Sequence, residues 1–366
     1  MKFLFLSSFA HLALDPAATR VAGGAELQVA LLARELAARG HVAVIVGADH
    51  GQPRERFLQG VRCLTGGRFH TGGLLDTAAA LPAVFGAIWR ERPDFIVVRG
   101  WTTWLFFLLA ARHIGGARLI YQCSLDTELN GEFRRANPLR GALFEAGVRR
   151  ADGRFAMTDT QCALYENRGL DCALYRNLAL PRTAPPTGVK DLDLLWIARC
   201  QAIKRPHHFL DLAEALPSAR CAMICPREDA TLWTSVQERA ARLGNVAFHE
   251  HVPYREAQAF FDRAEIFVNT SAWEGFANAF IQAGQGGAAI LSLSVNSDNV
   301  LTHFDAGLCA GDDPARLLNA ARELLADPAR LRALQAGAER FVAEWHDNAR
   351  NVDLFLSGLP ADARTR

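Results

Sequence analysis

Glu274 stands directly before Gly275 in the stretch Trp273-Glu274-Gly275-Phe276-Ala277-Asn278, and Gln282 follows eight residues after the glutamate. The apolar run Ile266-Phe267-Val268-Asn269 precedes this stretch and a helix-forming segment follows it, so the glycine marks a strand–turn–helix passage. At such a passage the first N–H groups of the helix, here Phe276 to Asn278, lack intrahelical acceptors and converge on a point that favours an anion. Glu274 then sits at the mouth of an anion site, where a carboxylate can take hydrogen bonds from hydroxyls. The Gln282 amide keeps one carbonyl acceptor but lacks the charge-assisted bond that a glutamate would make.

Two other segments carry groups suited to the same anion. Trp196-Ile197-Ala198 ends a strand-like run, and Arg199 and Lys204 lie in the loop after it. Two cations at a sheet edge can neutralise a diphosphate, the arginine in bidentate fashion and the lysine as a point charge. Solvated loop cations are the competing reading. Lysine is scarce here, at Lys2, Lys190 and Lys204 only, against 37 arginines, which favours a specific task for Lys204. Near the N-terminus, Val21-Ala22-Gly23-Gly24-Ala25-Glu26 opens a helix, and its paired glycines allow close approach of a ligand to backbone N–H groups. Glycines are common in such connections, and the GxGxxG spacing of a dinucleotide site is absent.

The elements that must hold these residues alternate. Strand-like runs at Phe3–Ser7, His41–Val46, Asp94–Val98, Arg118–Cys123 and Gly153–Thr158 are separated by helix-period segments, the first of them Ala25–Arg39 before Gly40. This rhythm predicts a parallel sheet covered on both faces. Pro181-Arg182-Thr183-Ala184-Pro185-Pro186-Thr187-Gly188 can neither propagate a helix nor pair in a central strand, so the domain linker is expected there. The rhythm then restarts with strands Leu192–Ala198, Arg220–Cys225, Asn245–His249, Ile266–Asn269 and Ala288–Leu293, and the chain ends in helices. The expected domains are 1–181 and 182–346, with a helix and tail at 347–366 that can cross back to the first. Ligands of open α/β sheets bind at the carboxyl edge, here a cleft between two sheets.

Composition narrows the class. A chain of 366 residues, half of them hydrophobic and 22% charged, is globular and long enough for two cores. The longest apolar run, Trp101 to Ala111, is too short to span a bilayer and reads as a buried helix. Phe3-Leu4-Phe5-Leu6 reads as a first strand, without the small-residue cleavage site of a signal peptide. The eight cysteines lack CxxC pairs or His-rich spacing and read as buried thiols in a reducing compartment. Residues 1–181 hold 21 basic against 16 acidic side chains, and the remainder 19 against 23. Arg134, Arg135, Arg140, Arg149, Arg150 and Arg154, interleaved with Leu139, Leu143, Phe144 and Val148, form either a solvated helix face over a core or a patch for a membrane surface.

Taken together, the Glu274-x7-Gln282 element, the Gly23-Gly24-Ala25-Glu26 loop and the Arg199-x4-Lys204 pair resemble glycosyltransferase family 4, with Gln282 where a second Glu is usual and Ala198 where a Gly is usual. Ala151–Asp159, Leu174–Asn177 and His251–Tyr254 are similar to further family segments in the same order, and the stretch from Phe276 looks like a bacterial polysaccharide-type branch. The resemblance implies the GT-B fold, two Rossmann-like domains facing a cleft. It also implies a metal-independent retaining enzyme, without cofactor, that moves a sugar from a UDP- or GDP-sugar to a glycan or lipid-linked hydroxyl in cell-surface polysaccharide synthesis. Glu274, Arg199 and Lys204 would then be catalytic. Gly24, Gly275, Phe276, Ala277, Asn278 and Gln282 would bind the donor, Glu274 at the sugar and Gln282 at the ribose. Many family members carry a His where Ser124 stands, so Ser124, Asp126 and Glu128 are expected on the acceptor side with Gly23 and Arg99. Trp101 is placed to line the acceptor side with Arg99, although Trp101 and Trp104 can also be read as core, and Asp126 and Glu128 as caps of the next helix. The implied location is cytoplasmic, with peripheral contact at the inner membrane face and no nucleic-acid partner. A nucleotide-sugar 2-epimerase of the same fold and a non-catalytic sugar-nucleotide-binding subunit are the alternatives.

Overall fold

The structure, a computed structural model, describes residues 1–16, 18, 23–67, 69, 74–114, 116–182 and 189–360. Val21 and Ala22 of the glycine loop, residues 183–188 of the proline-rich stretch and the tail 361–366 lie outside the described residues. The chain divides into two units, Met1–Leu178 with Asn348–Arg366, and Ala179–Asp347.

The first unit is built on an eight-stranded sheet of β1 (Lys2–Leu6), β2 (Val42–Gly47), β3 (Glu55–Leu58), β4 (Val61–Thr65), β5 (Phe95–Arg99), β6 (Arg118–Gln122), β7 (Gly153–Ala156) and β8 (Ala173–Leu174). Its order is β3-β4-β2-β1-β5-β6-β7-β8, parallel throughout except for the antiparallel β3–β4 hairpin. That hairpin turns on Gln59 and Gly60, both at positive φ, as a two-residue turn of right-twisted strands requires. The strands are apolar on both faces because both are covered. Phe3, Phe95 and Phe155 belong to the face that receives helix Asn348–Ser357, whose Phe355 ring lies 6.0 Å from Phe3 and 4.9 Å from Phe155. Helix Gly24–Ala38 ends at Gly40, where φ is +80°; the Gly40 and His41 amides donate to Ala37 and Leu36, the Schellman pattern that closes a helix into the next strand. Leu4, Val44, Ile96, Leu119 and Tyr121 lie in the other core, where Tyr121 meets Phe144 edge-on. The apolar run after Trp101 forms a short helix, Trp104–Phe107, followed by a 3₁₀ stretch to His113.

The second unit has six parallel strands, β9 (Leu192–Ile197), β10 (Cys221–Ile224), β11 (Val246–His249), β12 (Ala264–Asn269), β13 (Ala289–Ser292) and β14 (Gly307–Cys309), in the order β11-β10-β9-β12-β13-β14. Asp229, Asp313 and Asp327 cap the helices that begin at Ala230, Pro314 and Pro328 by accepting from first-turn N–H groups. Helix Asn278–Gln285 packs closely on Pro328–Trp345 because Gly284 has no side chain: a Cβ there would come within 2.4 Å of the Ala338 carbonyl. In each unit the chain winds outward from a central strand and then returns to its other side, giving a switch point between β1 and β5 and another between β9 and β12. All eight cysteines are free thiols. Among the described residues no helix is long and apolar enough to cross a membrane.

Candidate active site

The loops that leave β9 and β12 at the second switch point are tied together by buried polar contacts. The fully buried Trp196 indole donates to the Thr270 hydroxyl at 2.8 Å, and that hydroxyl donates to the Lys204 carbonyl at 2.6 Å. The Ala272 amide donates to the Ile203 carbonyl at 2.9 Å. These ties bring two side chains 70 positions apart into contact. Lys204 Nζ donates to Glu274 Oε1 at 2.5 Å, with both side chains 18% exposed. Ser271 Oγ donates to the same oxygen at 2.8 Å, whereas Oε2 makes no hydrogen bond to a described residue. The carboxylate is therefore held by one oxygen and can offer the other.

Beyond Glu274 the residues Gly275, Phe276 and Ala277 are buried. The Phe276 ring turns inward onto Phe341 and His346, at 6.2 and 5.1 Å between centroids, so Phe276 can offer a ligand only its N–H. Helix Asn278–Gln285 starts at Ala277 with no side-chain cap and no acidic residue in its first turn, which leaves its positive end for an external anion. Gln282 is 7% exposed; its backbone carbonyl accepts from Gln258, and its side-chain Nε2 has no partner among the described residues. Arg199 is directed elsewhere. It pairs with Glu228 at 3.1 Å, as an exposed pair that Gln201 also joins, and such pairs contribute little.

At the switch point of the first unit, a cavity of about 290 Å³ lies at the carboxyl ends of β1 and β5. Ser7 and Ser8 reach it from the end of β1, Glu26 from the first turn of helix Gly24–Ala38, and Arg99, Trp101 and Trp104 from the end of β5. Arg99 donates to Asn177 at 2.7 Å and touches Met157, while its Nε has no acceptor among the described residues. Gly23 is the helix N-cap, and a Cβ on it would lie 2.4 Å from Glu26 Oε2, so a larger residue there would shift that carboxylate from the helix start. Among the described residues no group of three or more His, Cys, Asp or Glu side chains is placed to hold a metal ion.

Residues 23–181 match the family model described as "Glycosyl transferase 4-like domain", and residues 191–327 match "Glycosyl transferases group 1". The chain carries two glycosyltransferase domains. Their fold is GT-B: the structure superposes on sucrose-phosphate synthase from Thermosynechococcus elongatus with a TM-score of 0.74 at 20% identity, covering 98% of both chains. It likewise superposes on a UDP-forming α,α-trehalose-phosphate synthase from Burkholderia xenovorans with a TM-score of 0.70 at 13% identity, covering 99% of both chains. A curated relative, glycosyltransferase 1 domain-containing protein 1 of Xenopus tropicalis, is 24% identical over 134 residues, 36% of this chain and 39% of that protein.

Within these glycosyltransferase domains the residues singled out from the sequence separate into groups. Lys204, Glu274, Gly275, Phe276, Ala277, Asn278 and Gln282 share the second switch point, and Arg199 stands beside it, bound to Glu228. Gly23, Gly24 and Arg99 lie at the first switch point, in the other unit. Ser124, Asp126 and Glu128 follow β6, and here the expectation for Glu128 is corrected. It is 3% exposed and turns inward, where Oε2 accepts from Tyr121 at 2.5 Å and from the Ser124 amide at 3.0 Å, and Oε1 accepts from Ser124 Oγ at 2.6 Å. Burial pushes its carboxyl above the usual carboxylate range, against the pull of those three donors. Glu128 is thus a positioning group for the loop. Its partner Ser124 spends its hydroxyl on it, and Asp126 accepts from Gln161 at 3.1 Å. The sequence reading gave no role to the side chains of Trp196, Thr270 and Ser271, and it placed Glu26 only within the glycine loop. A threonine and a serine between strand and glycine turn were the one visible signal; the Trp196 indole has no sequence cue.

Proposed function

We propose that the protein is a retaining glycosyltransferase that takes a sugar from a nucleoside-diphosphate sugar and gives it to a hydroxyl of a glycan or lipid-linked acceptor. The observation that carries this reading is the Lys204–Glu274 pair beside the uncapped start of helix Asn278–Gln285. The helix N-terminus and Lys204 suit the leaving diphosphate, the second oxygen of Glu274 suits a donor-sugar hydroxyl, and the buried Gln282 amide suits the nucleotide. As the bond from the anomeric carbon to the phosphate oxygen breaks, charge builds on the diphosphate and on an oxocarbenium-like ring. Fixed donors aimed at that charge stabilise the transition state without reorganising. In this reading the free oxygen of Glu274 is taken by a donor-sugar hydroxyl, so the acceptor oxygen would attack on the face of the departing group and pass its proton to the phosphate.

UDP and GDP are the favoured nucleotides; a structural relative is named for forming UDP. Arg199 would reach the diphosphate by leaving the exposed Glu228 pair. On the first unit, helices Glu132–Ala136 and Pro138–Arg150 present Arg134, Arg135 and Arg149 to solvent beside Leu139, which is 65% exposed. Those arginines make no ion pair among the described residues, which supports peripheral contact with an anionic membrane face of the cytoplasm. A thermal-shift screen with UDP, GDP and ADP and their sugars, followed by nucleotide release with and without acceptor, tests the function. Stabilisation by one nucleotide and acceptor-dependent release support it. Nucleotide release that needs no acceptor favours the epimerase, and binding without turnover favours the non-catalytic subunit.

A further inference from the structure

Two of the eight cysteines differ from the rest in their setting. Cys63, Cys123, Cys200, Cys221 and Cys225 are buried and Cys309 is exposed, whereas Cys162 and Cys172 are half-buried. The path of the chain brings these two together. Helix Asp159–Glu166 leaves the end of β7, capped by Thr158, and the chain reverses at Gly169, where φ is +65° and the Leu170 amide donates back to the Tyr165 carbonyl at 3.1 Å. It then returns beside β7 as β8, with Ala173 in register with Phe155. Cys172 stands one residue before Ala173, Cys162 stands on the helix that packs on β7 and β8, and both cysteines pack against the same core.

The Cys162 thiol donates a hydrogen bond to the Cys172 sulfur. Arg154 Nε donates to the Asp171 carbonyl and its Nη1 to the Ala151 carbonyl, both at 2.8 Å, which fixes the guanidinium beside Cys172. The hydrogen bond from Cys162, helped by Arg154, holds the Cys172 thiol below its ordinary pKa, against the opposing effects of burial and of Glu166. A half-buried thiolate with a second thiol in hydrogen-bonding contact has the two parts of an exchange pair, an attacking sulfur and a resolving one. Cys200 and Cys225 are also neighbours but lack this character: both are fully buried, and burial raises the pKa of each.

We propose that Cys162 and Cys172 are a reversible redox-modification site, closed to a disulfide by exchange with a low-molecular-weight disulfide and reopened by thiols. The Cys172 thiolate attacks one sulfur of the small disulfide RSSR, whose S–S bond breaks; RS⁻ departs and Cys172 is left as a mixed disulfide. The Cys162 thiol gives up its proton and attacks the Cys172 sulfur, and the second RS⁻ leaves. The two cysteines have lost two electrons, and the small disulfide has become two thiols that carry the two cysteine protons. In a reducing compartment the pair stays open and closes only under oxidation. The bond ties helix Asp159–Glu166 to β8, on the stretch that runs to Leu178 at the end of this part of the first unit.

The test is incubation of the full chain with oxidised glutathione, then alkylation of the remaining thiols and peptide mass spectrometry of all eight cysteines. Exposure alone predicts that Cys309 reacts first. The pair predicts a Cys162–Cys172 cross-link that forms about tenfold or more faster than a mixed disulfide at Cys309 and is reversed by dithiothreitol. Cys162→Ser should instead accumulate glutathione on Cys172, and Cys172→Ser should leave Cys162 largely unmodified, which separates the attacking sulfur from the resolving one. The cross-linked chain should melt about 5–10 °C above the reduced chain, because the bond closes the loop 162–172 without moving the backbone. A lasting mixed disulfide at Cys172 in the wild type, modification of Cys309 with the pair untouched, or a cross-linked form that melts below the reduced one would overturn the inference. Melting curves of the reduced serine variants show whether each folds, and alanine variants replace any that does not. Nucleotide binding plays no part in the assay, so its outcome is independent of the function proposed above.

Discussion

Replacing Lys204 by alanine separates what the Lys204–Glu274 pair does for the fold from what it does for the chemistry. Both side chains are 18% exposed and meet at 2.5 Å, so removing the ammonium leaves a largely buried carboxylate with only Ser271 as donor. Stranding such a group costs roughly 1–3 kcal/mol. At about 2–4 °C per kcal/mol for a unit of this size, calorimetry should show the second unit melting several degrees lower. The chemical effect should be larger. If Lys204 is a fixed charge on the leaving diphosphate, its loss should lower kcat by about 10² to 10³, the usual cost of one transition-state donor. Glu274→Gln should act differently on the two steps. It frees the ammonium from its counter-charge, so UDP or GDP should bind more tightly, by up to about tenfold or 1.4 kcal/mol, while transfer slows because the donor sugar loses a charged acceptor. Isothermal titration and initial-rate kinetics on both single variants and the double variant measure the two effects. If Lys204→Ala melts early but keeps its rate within threefold, the pair is a structural clip and the assignment of Lys204 to the diphosphate is wrong.

Three other consequences can be measured directly. Gly284→Ala places a methyl 2.4 Å from the Ala338 carbonyl and should cost about 1–3 kcal/mol; because it also lifts the helix whose first turn is the anion site, nucleotide affinity measured by titration should fall with stability. Glu128 has its carboxyl pKa raised by burial, so the unfolded chain loses that proton first and wild-type stability falls as pH rises from about 4.5 through the raised value; Glu128→Gln should lack this loss in denaturant melts run across pH 4 to 7. His11 is buried beneath Gly47 with neither ring nitrogen partnered among the described residues, and burial together with His50 lowers its pKa to about 4. The unfolded chain takes up the proton first as pH falls, so stability should drop between pH 6.5 and 4 by up to roughly 3 kcal/mol, and His11→Phe should flatten that slope.

The parts of the fold that could be read from the sequence were those with strong local cause. Runs such as Phe3–Leu6 and Ile266–Val268 are buried on both faces and carry no polar residue, which suits them to a central strand. Gly40 could be read as a helix stop because only a residue at ease with positive φ closes that helix. The β3–β4 hairpin could not: Arg56 and Arg62 break its apolar pattern, and its turn places Gln59, not Asn or Asp, at positive φ. Glu128 is the instructive failure in the site. Local sequence placed it correctly on a loop after β6, but whether that loop shows its carboxylate to solvent or to the core depends on Tyr121, seven residues back on the strand, and on the Ser124 turn between them. Arg199 and Lys204 make the same point from one loop. They are five residues apart and alike in charge, yet Arg199 meets Glu228 and Lys204 meets Glu274, because the Cys200 amide ties the backbone beside Arg199 to Pro226, two residues before Glu228, whereas Thr270 ties the Lys204 carbonyl to the loop that carries Glu274. What decides the site in both units is strand order. The chain leaves β1 and β9 in one direction and returns on their other side at β5 and β12, so the loops that follow these four strands diverge and leave room between them. Lys204 and Glu274 stand on one pair of such loops, Ser7 and Arg99 on the other. Residues far apart in sequence can share a site there because neither loop has to cover the other.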